Sequence, residues 1–141
     1  MLWNHSFETG VAEIDEQNFD LVSKLDAMAN SDTNRARFEQ LVNFKETAAK
    51  YFEHEQNIHC DCHYSDADMH RYAHACYLKN LRRIERDYVD RGATLANEMF
   101  FLKNAVESLK KHIMNQDKSF AEFYKKSPLM QKHSEVNITA S

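Results

Sequence analysis

Apolar side chains recur every three or four residues through most of this chain, which is the period of a helix that buries one face. Four such stretches are present, at about residues 14–29, 35–60, 67–89 and 94–124. A shorter series at spacing four lies in residues 1–13, at Trp3, Phe7 and Val11. The pattern therefore predicts four helices preceded by an N-terminal arm.

The connections between the predicted helices are short and polar. Residues 30–34 are rich in turn-forming and helix-capping side chains, and Gly92 follows the third helix where a glycine often ends one. Short connections place consecutive helices antiparallel, so we expect an all-α fold, an antiparallel up-down-up-down four-helix bundle. Residues 1–126 would form a single domain, and residues 127–141 a loose, polar C-terminal tail.

The composition supports a helical fold. The chain has 2 Gly and 1 Pro in 141 residues, whereas a β-sandwich or barrel uses these residues at most of its turns. The net charge is −4 with acidic and basic residues interspersed, so we expect no nucleic-acid surface. There is no run of 18 apolar residues and no signal-peptide pattern at the N-terminus, so we expect no membrane association and a cytoplasmic location.

Histidine is unusually frequent, with eight in the chain, and it is the commonest metal ligand in proteins. His70 and His74 are four residues apart, which places both rings on one face of the third helix. That face continues into Tyr77 and Leu81 and is therefore expected to be buried. Two buried imidazoles need partners, either hydrogen-bonding groups in a polar layer or a metal ion.

Two other predicted helices supply further polar side chains. His112 and Asp117 lie in successive turns of the fourth helix, about 140° apart around a regular helix. Glu55 lies in line with Tyr51 and His59 at spacing four on the second helix. Three imidazoles and two carboxylates are a set typical of iron or manganese, whereas thiolates would favour zinc or iron–sulfur clusters.

In this order, these residues resemble those of the bacterial hemerythrins. The resemblance covers roughly residues 3–124. The motifs that carry it are Trp3, Phe7-Glu8-Thr9-Gly10-Val11, Ile14-Asp15-Glu16-Gln17, Glu55, His70-x3-His74 and His112-Ile113-x3-Asp117. The family implies a four-helix bundle around a non-heme di-iron centre that binds dioxygen reversibly at its second iron.

The resemblance implies a role for each matching residue. His70, His74 and His112 would hold the first iron, and Glu55 and Asp117 would bridge the two irons. We therefore expect iron as the cofactor, with two ions per chain and one ion as the alternative.

The chain departs from the family at two positions, and both belong to the second iron. Asn18 and Tyr51 stand where the family has histidines on the first and second helices. His59, one turn beyond Glu55, is a candidate replacement ligand. Tyr51 could bind as a phenolate and Asn18 through its carbonyl oxygen. We rank His54 below His59, because it points about 100° away from Glu55.

The segment from His59 to His63 also contains Cys60 and Cys62. One interpretation is a small metal or redox site. The other is a polar loop with reduced thiols, as is usual in the cytosol. Cys76 lies off the histidine face of the third helix and is expected to pack against its neighbours.

We therefore expect a hemerythrin-like iron-binding protein with a remodelled second metal site. It would bind or sense dioxygen or a related small ligand, such as nitric oxide or peroxide, and a signalling partner is left open. No catalytic residue is assigned. The alternatives are an iron-dependent oxidase or peroxidase, and a metal-free helical interaction module in which the histidines are polar core groups.

Overall fold

The computed structural model describes residues 3–92 and 95–130, with side chains described from Leu102 onward in the second range. All regular structure in these residues is helical, and they contain no strand, which confirms the all-α expectation. A short 3-10 helix, His5–Phe7, comes first. The longer elements are α1 (Ala12–Ala29), α2 (Asn34–Asp61), α3 (Ala67–Arg91), α4 (Leu95–His112), a π-helix (Ile113–Asp117) and α5 (Lys118–Lys125).

The first three helices begin and end within two residues of their predicted bounds. The helix predicted over residues 94–124 differs, because a π-helical turn separates α4 from α5. A π-turn accommodates one residue more than an α-turn, so it changes which later side chains share a face. Residue 94, where this helix is predicted to begin, and the side chain of Met99, which the apolar period predicts to face inward, lie outside the described residues.

The four long helices, α1 to α4, pack in a closed order, in which each helix contacts two of the others. α1 contacts α2 and α4, and α3 contacts α2 and α4. Their apolar faces meet in a first core cluster, where each fully buried large side chain contributes about 1.5–3 kcal/mol. Its most deeply buried large side chains are Leu21, Leu25, Met28, Phe44, Leu81, Leu109 and Ile113.

A second core cluster joins the N-terminal arm to α5. Val11, Ile14, Tyr64, Phe120, Ala121 and Tyr124 are its buried members. Leu129 and Met130 pack against this cluster, and Ser127 is buried. Within the tail predicted from residue 127, residues 127–130 therefore lie against this cluster through Leu129 and Met130. Residues 131–141 lie outside the described part of the chain.

None of the helices in the described residues has an apolar stretch long enough to cross a lipid bilayer.

The N-terminal arm is fastened to α1 by one carboxylate. Asp15 accepts hydrogen bonds from the backbone N–H and the hydroxyl of Thr9, at 2.7 and 2.8 Å, and from the backbone N–H of Gly10, at 3.1 Å. Gly10 has a positive φ of 86°, which glycine adopts without strain. This contact fixes the turn that places Val11 and Ile14 in the second cluster.

Replacing Asp15 by alanine should lower the free energy of unfolding by about 1–2 kcal/mol, because three donors lose a charged acceptor. Urea unfolding followed by circular dichroism measures this. Glu16→Ala, at an exposed position of the same helix turn, is the control and should change stability by less than about 0.5 kcal/mol. Equal effects of the two substitutions would contradict the role of Asp15.

Candidate metal centre

Five buried side chains converge between the two core clusters. Each offers one ligand atom, and these atoms all lie within 4.8 Å of one another. Glu55 comes from α2, and His70 and His74 come from α3. His112 is the last residue of α4, and Asp117 is the last residue of the π-helix. These are the five residues that the sequence singled out, and the group they form could hold a metal ion.

In each of the three imidazoles, Nε2 is the ring atom that faces the other rings. Nε2 of His112 lies 3.2 Å from Nε2 of His70 and 3.1 Å from Nε2 of His74. One ring nitrogen can donate or accept a single strong hydrogen bond, so it cannot satisfy two such neighbours. Nitrogens that bind one metal at about 2.1 Å and at right angles to each other are about 3.0 Å apart. The spacing therefore fits a shared metal ion better than hydrogen bonding.

The carboxylate oxygens of Glu55 and Asp117 lie close to the same ring nitrogens. Oε1 of Glu55 lies 2.7 Å from Nε2 of His70, and Oδ1 of Asp117 lies 3.1 Å from Nε2 of both His70 and His112. Neither oxygen has a well-directed hydrogen bond from the described residues. A cation contacting both oxygens would compensate the desolvation of two buried carboxylates.

The electrostatics of the group favour a cation. Burial and the neighbouring rings of His112 and His70 lower the pKa of His74 to about 2, so its Nε2 lone pair is available. Burial opposes protonation of His70 as well, but the nearby carboxylates of Asp117 and Glu55 raise its pKa to about 9. Burial would raise the pKa of Asp117, whereas His112 and His70 lower it below its usual range. A metal ion would have to displace the proton on His70.

The π-helix aligns two of the ligands. On a regular α-helix, residues five apart point about 140° away from each other. The wider turn over Ile113–Asp117 brings Asp117 back toward the face of His112. Ile113 remains fully buried in the first core cluster. The π-helical backbone therefore allows His112 and Asp117, which are five residues apart in the sequence, to lie on the same side of the helix.

Two side chains that the sequence analysis did not select orient His74. Oε1 of Gln56 lies 2.9 Å from Nδ1 of His74, so a proton on Nδ1 can be donated to it. Phe52 stacks on the same ring, with centroids 3.9 Å apart and planes inclined by 4°. Such contacts fix the tautomer and the direction of a ligating imidazole. Their only sequence signal was proximity to Glu55 on the same helix.

Asn18 and His59, two of the three additional candidates, lie inside the protein. Nδ2 of Asn18 donates to Oδ2 of Asp117 at 2.9 Å. His59 is 1% exposed, its Nε2 is 3.5 Å from Oε1 of Glu55, and its ring packs edge-on against Phe120. Neither ring nitrogen of His59 has a hydrogen-bond partner among the described residues.

Tyr51, the third candidate, is turned toward α1. Its hydroxyl donates to Oδ2 of Asp20 at 2.5 Å. This hydrogen bond, together with burial, raises the pKa of Tyr51 to about 12. Asp20 also pairs with Lys24, at 2.9 Å. No sequence motif pointed to Asp20, which lies one turn before Lys24 on α1.

The other polar residues near α2 lie apart from the five-residue group. His54 pairs with Glu13 of α1 at a half-exposed position. Cys60 is exposed and Cys62 half-buried, and both thiols are free. Burial raises the pKa of Cys62, which makes its thiolate less available. Cys76 is half-buried on α3 with a free thiol.

Comparison with family models, curated proteins and solved structures finds no match to this chain.

Removing one residue from the π-turn should preserve the metal site. Met114 is 41% exposed, and its deletion places Asp117 four residues after His112, on one face of a regular helix. The midpoint of a ferrous iron titration should stay close to that of the wild type. Deleting the exposed Glu107 instead turns His112 by about 100° relative to the part of α4 that precedes residue 107. This deletion should weaken iron binding at least tenfold. Equal losses in the two variants would contradict the role of the π-turn.

Ferrous iron, added under argon, should raise the melting temperature, because a ligand bound to the folded state stabilises it by about 4 kcal/mol at a thousand times its Kd. His74→Ala removes one donor and should abolish most of the shift measured by calorimetry. His54→Ala, a histidine of α2 outside the group, is the control and should keep it. An equal shift in wild type and His74→Ala would contradict metal binding at these residues.

Proposed function

We propose that this chain is a hemerythrin-like non-heme iron protein with a remodelled second metal site, which binds or senses dioxygen or a related small ligand such as nitric oxide or peroxide. The observation that carries the proposal is the convergence of Glu55, His70, His74, His112 and Asp117 within 4.8 Å. The closed packing order of α1 to α4 supports it, because an up-down-up-down bundle would give that order.

The chemistry of the donors supports iron. Imidazole and carboxylate suit iron or manganese, and no thiolate belongs to the group. Five protein donors leave one position of an octahedral metal for an exogenous ligand. Ferrous iron, when bound, would supply the electrons that dioxygen or nitric oxide needs in order to bind.

The surroundings favour a small ligand. His70, His74 and Asp117 are each 1% exposed. Phe52 covers His74, and Phe120 packs against His70. These apolar side chains shield His70 and His74 from bulk water. Reversible binding or sensing therefore fits the site better than oxidation of a larger molecule.

The iron-loaded protein should change its visible and EPR spectra when nitric oxide or dioxygen is added. The change should saturate at one ligand per loaded centre and reverse under argon for dioxygen. His74→Ala should give no such change, and His54→Ala should behave as the wild type. Iron that binds but gives no spectral response to either gas would contradict the proposal, and continuous peroxide consumption would favour the oxidase or peroxidase alternative.

A further inference from the structure

The two oxygens of Asp117 face different partners. Oδ1 is 3.1 Å from Nε2 of His70 and of His112, whereas Oδ2 accepts a hydrogen bond from Nδ2 of Asn18 at 2.9 Å. Asp117 and Asn18 are both buried. A carboxylate that bridges two metal ions must present one oxygen to each of them. In this chain a hydrogen-bond donor occupies the second oxygen.

Asn18 is poorly suited to a second cation in this position. The amide N–H₂ has no lone pair for a metal, and its partial positive charge points toward Oδ2 of Asp117. The reversed amide would place two acceptor oxygens against each other without a proton between them. The hydrogen bond therefore defines the amide orientation.

From this arrangement we propose that the centre holds one metal ion rather than two, and that Asn18 is the positioning residue that closes the second site. The proposal rests on the function proposed above. It also assigns Asn18 a purpose: the amide holds Asp117 so that Oδ1 points at the histidines.

The hydrogen bonding of Tyr51 is consistent with a centre that holds a single metal ion. Its hydroxyl is directed to Oδ2 of Asp20 on α1. Asp20 is held by Lys24 as well, so the three side chains form a connected polar group outside the five donors. The two positions at which the chain departs from the hemerythrin pattern are thus both engaged in hydrogen bonds within the protein.

His59 does not create a separate second site. Its Nε2 is 3.5 Å from Oε1 of Glu55, the same oxygen that lies 2.7 Å from Nε2 of His70. It is therefore on the side of the first ion. A single neutral imidazole would also have to hold the second dication without help from Asn18 or Tyr51.

The charge of the five donors also favours one metal ion over two. Glu55 and Asp117 supply two negative charges, which balance one divalent ion. A second divalent ion would need further negative charge from an exogenous anion such as hydroxide, because Asn18 and His59 are neutral ligands and the hydroxyl of Tyr51 is bonded to Asp20. Uncompensated buried charge is strongly unfavourable.

The test is the number of iron ions per chain. The full-length protein is titrated with ferrous iron under argon, desalted and analysed for metal and protein. We expect one equivalent in the wild type and, after oxidation, the EPR signal of an isolated high-spin ferric ion. Two equivalents with a coupled, EPR-silent pair would overturn the inference and leave the proposed function standing. No retained iron would overturn the proposed function itself.

Asn18→Asp tests the assignment of the amide. The substitution is isosteric, replaces the donor by an oxygen ligand and adds a third negative charge, so we expect the count to rise from one to two. Asn18→Ala removes the donor without adding a ligand and should stay at one. If Asn18→Asp folds and also binds one ion, the assignment is overturned. Should it fail to fold, Asn18→His is measured in its place, with the same two outcomes.

Tyr51→Phe tests the remaining position. The variant should keep one iron and an unchanged visible spectrum, because the hydroxyl lies on Asp20. Loss of a visible charge-transfer band in this variant would identify Tyr51 as an iron ligand and overturn the inference.

Discussion

Five polar side chains share one small buried volume in this protein, and most of the structure around them can be understood from that constraint. Nε2 of His70 alone has three polar neighbours, from His112, Glu55 and Asp117, within 3.2 Å. Hydrogen bonding cannot satisfy them all, and isolated buried carboxylates cost several kcal/mol each. One cation at the centre would satisfy every donor at once. Stability and metal binding are therefore expected to be linked in this fold.

The surrounding residues orient the donors. Phe52 and Gln56 fix the ring of His74 from two directions. The π-turn lets Ile113 stay in the core while Asp117 turns toward His112. A helix of regular pitch could not meet both demands with the two ligands five residues apart, and π-turns of this kind are frequent at functional sites.

The α1 helix contributes none of the five donors. Its polar side chains instead form hydrogen bonds with residues in and near the group. Asn18 engages Asp117, and Asp20 engages Tyr51. Both contacts are hydrogen bonds from neutral donors to carboxylates, and they engage Oδ2 of Asp117 and the hydroxyl of Tyr51 within the protein. Asn18 and Tyr51, the two positions at which the sequence departs from the pattern it resembles, are therefore both engaged in hydrogen bonds within the protein.

Much of this followed from the sequence alone, because the decisive features are local and periodic. The helical period gave α1, α2 and α3 to within two residues, and the four-residue spacing put His70 and His74 on one buried face. Residue type and position in the sequence also single out the five donors that the fold brings together. Residue type and spacing are sufficient for this when the backbone is helical.

Tertiary structure decided which partner each side chain found. Asn18 and Asp117 are 99 residues apart, and Tyr51 and Asp20 are 31 apart, so no local pattern could pair them. The packing of Leu129 and Met130 likewise depends on a cluster assembled from the arm, the α2–α3 connection and α5. Periodicity determines the face on which a side chain lies. The hydrogen-bond partner it meets there is set by helices that come together only in the folded chain.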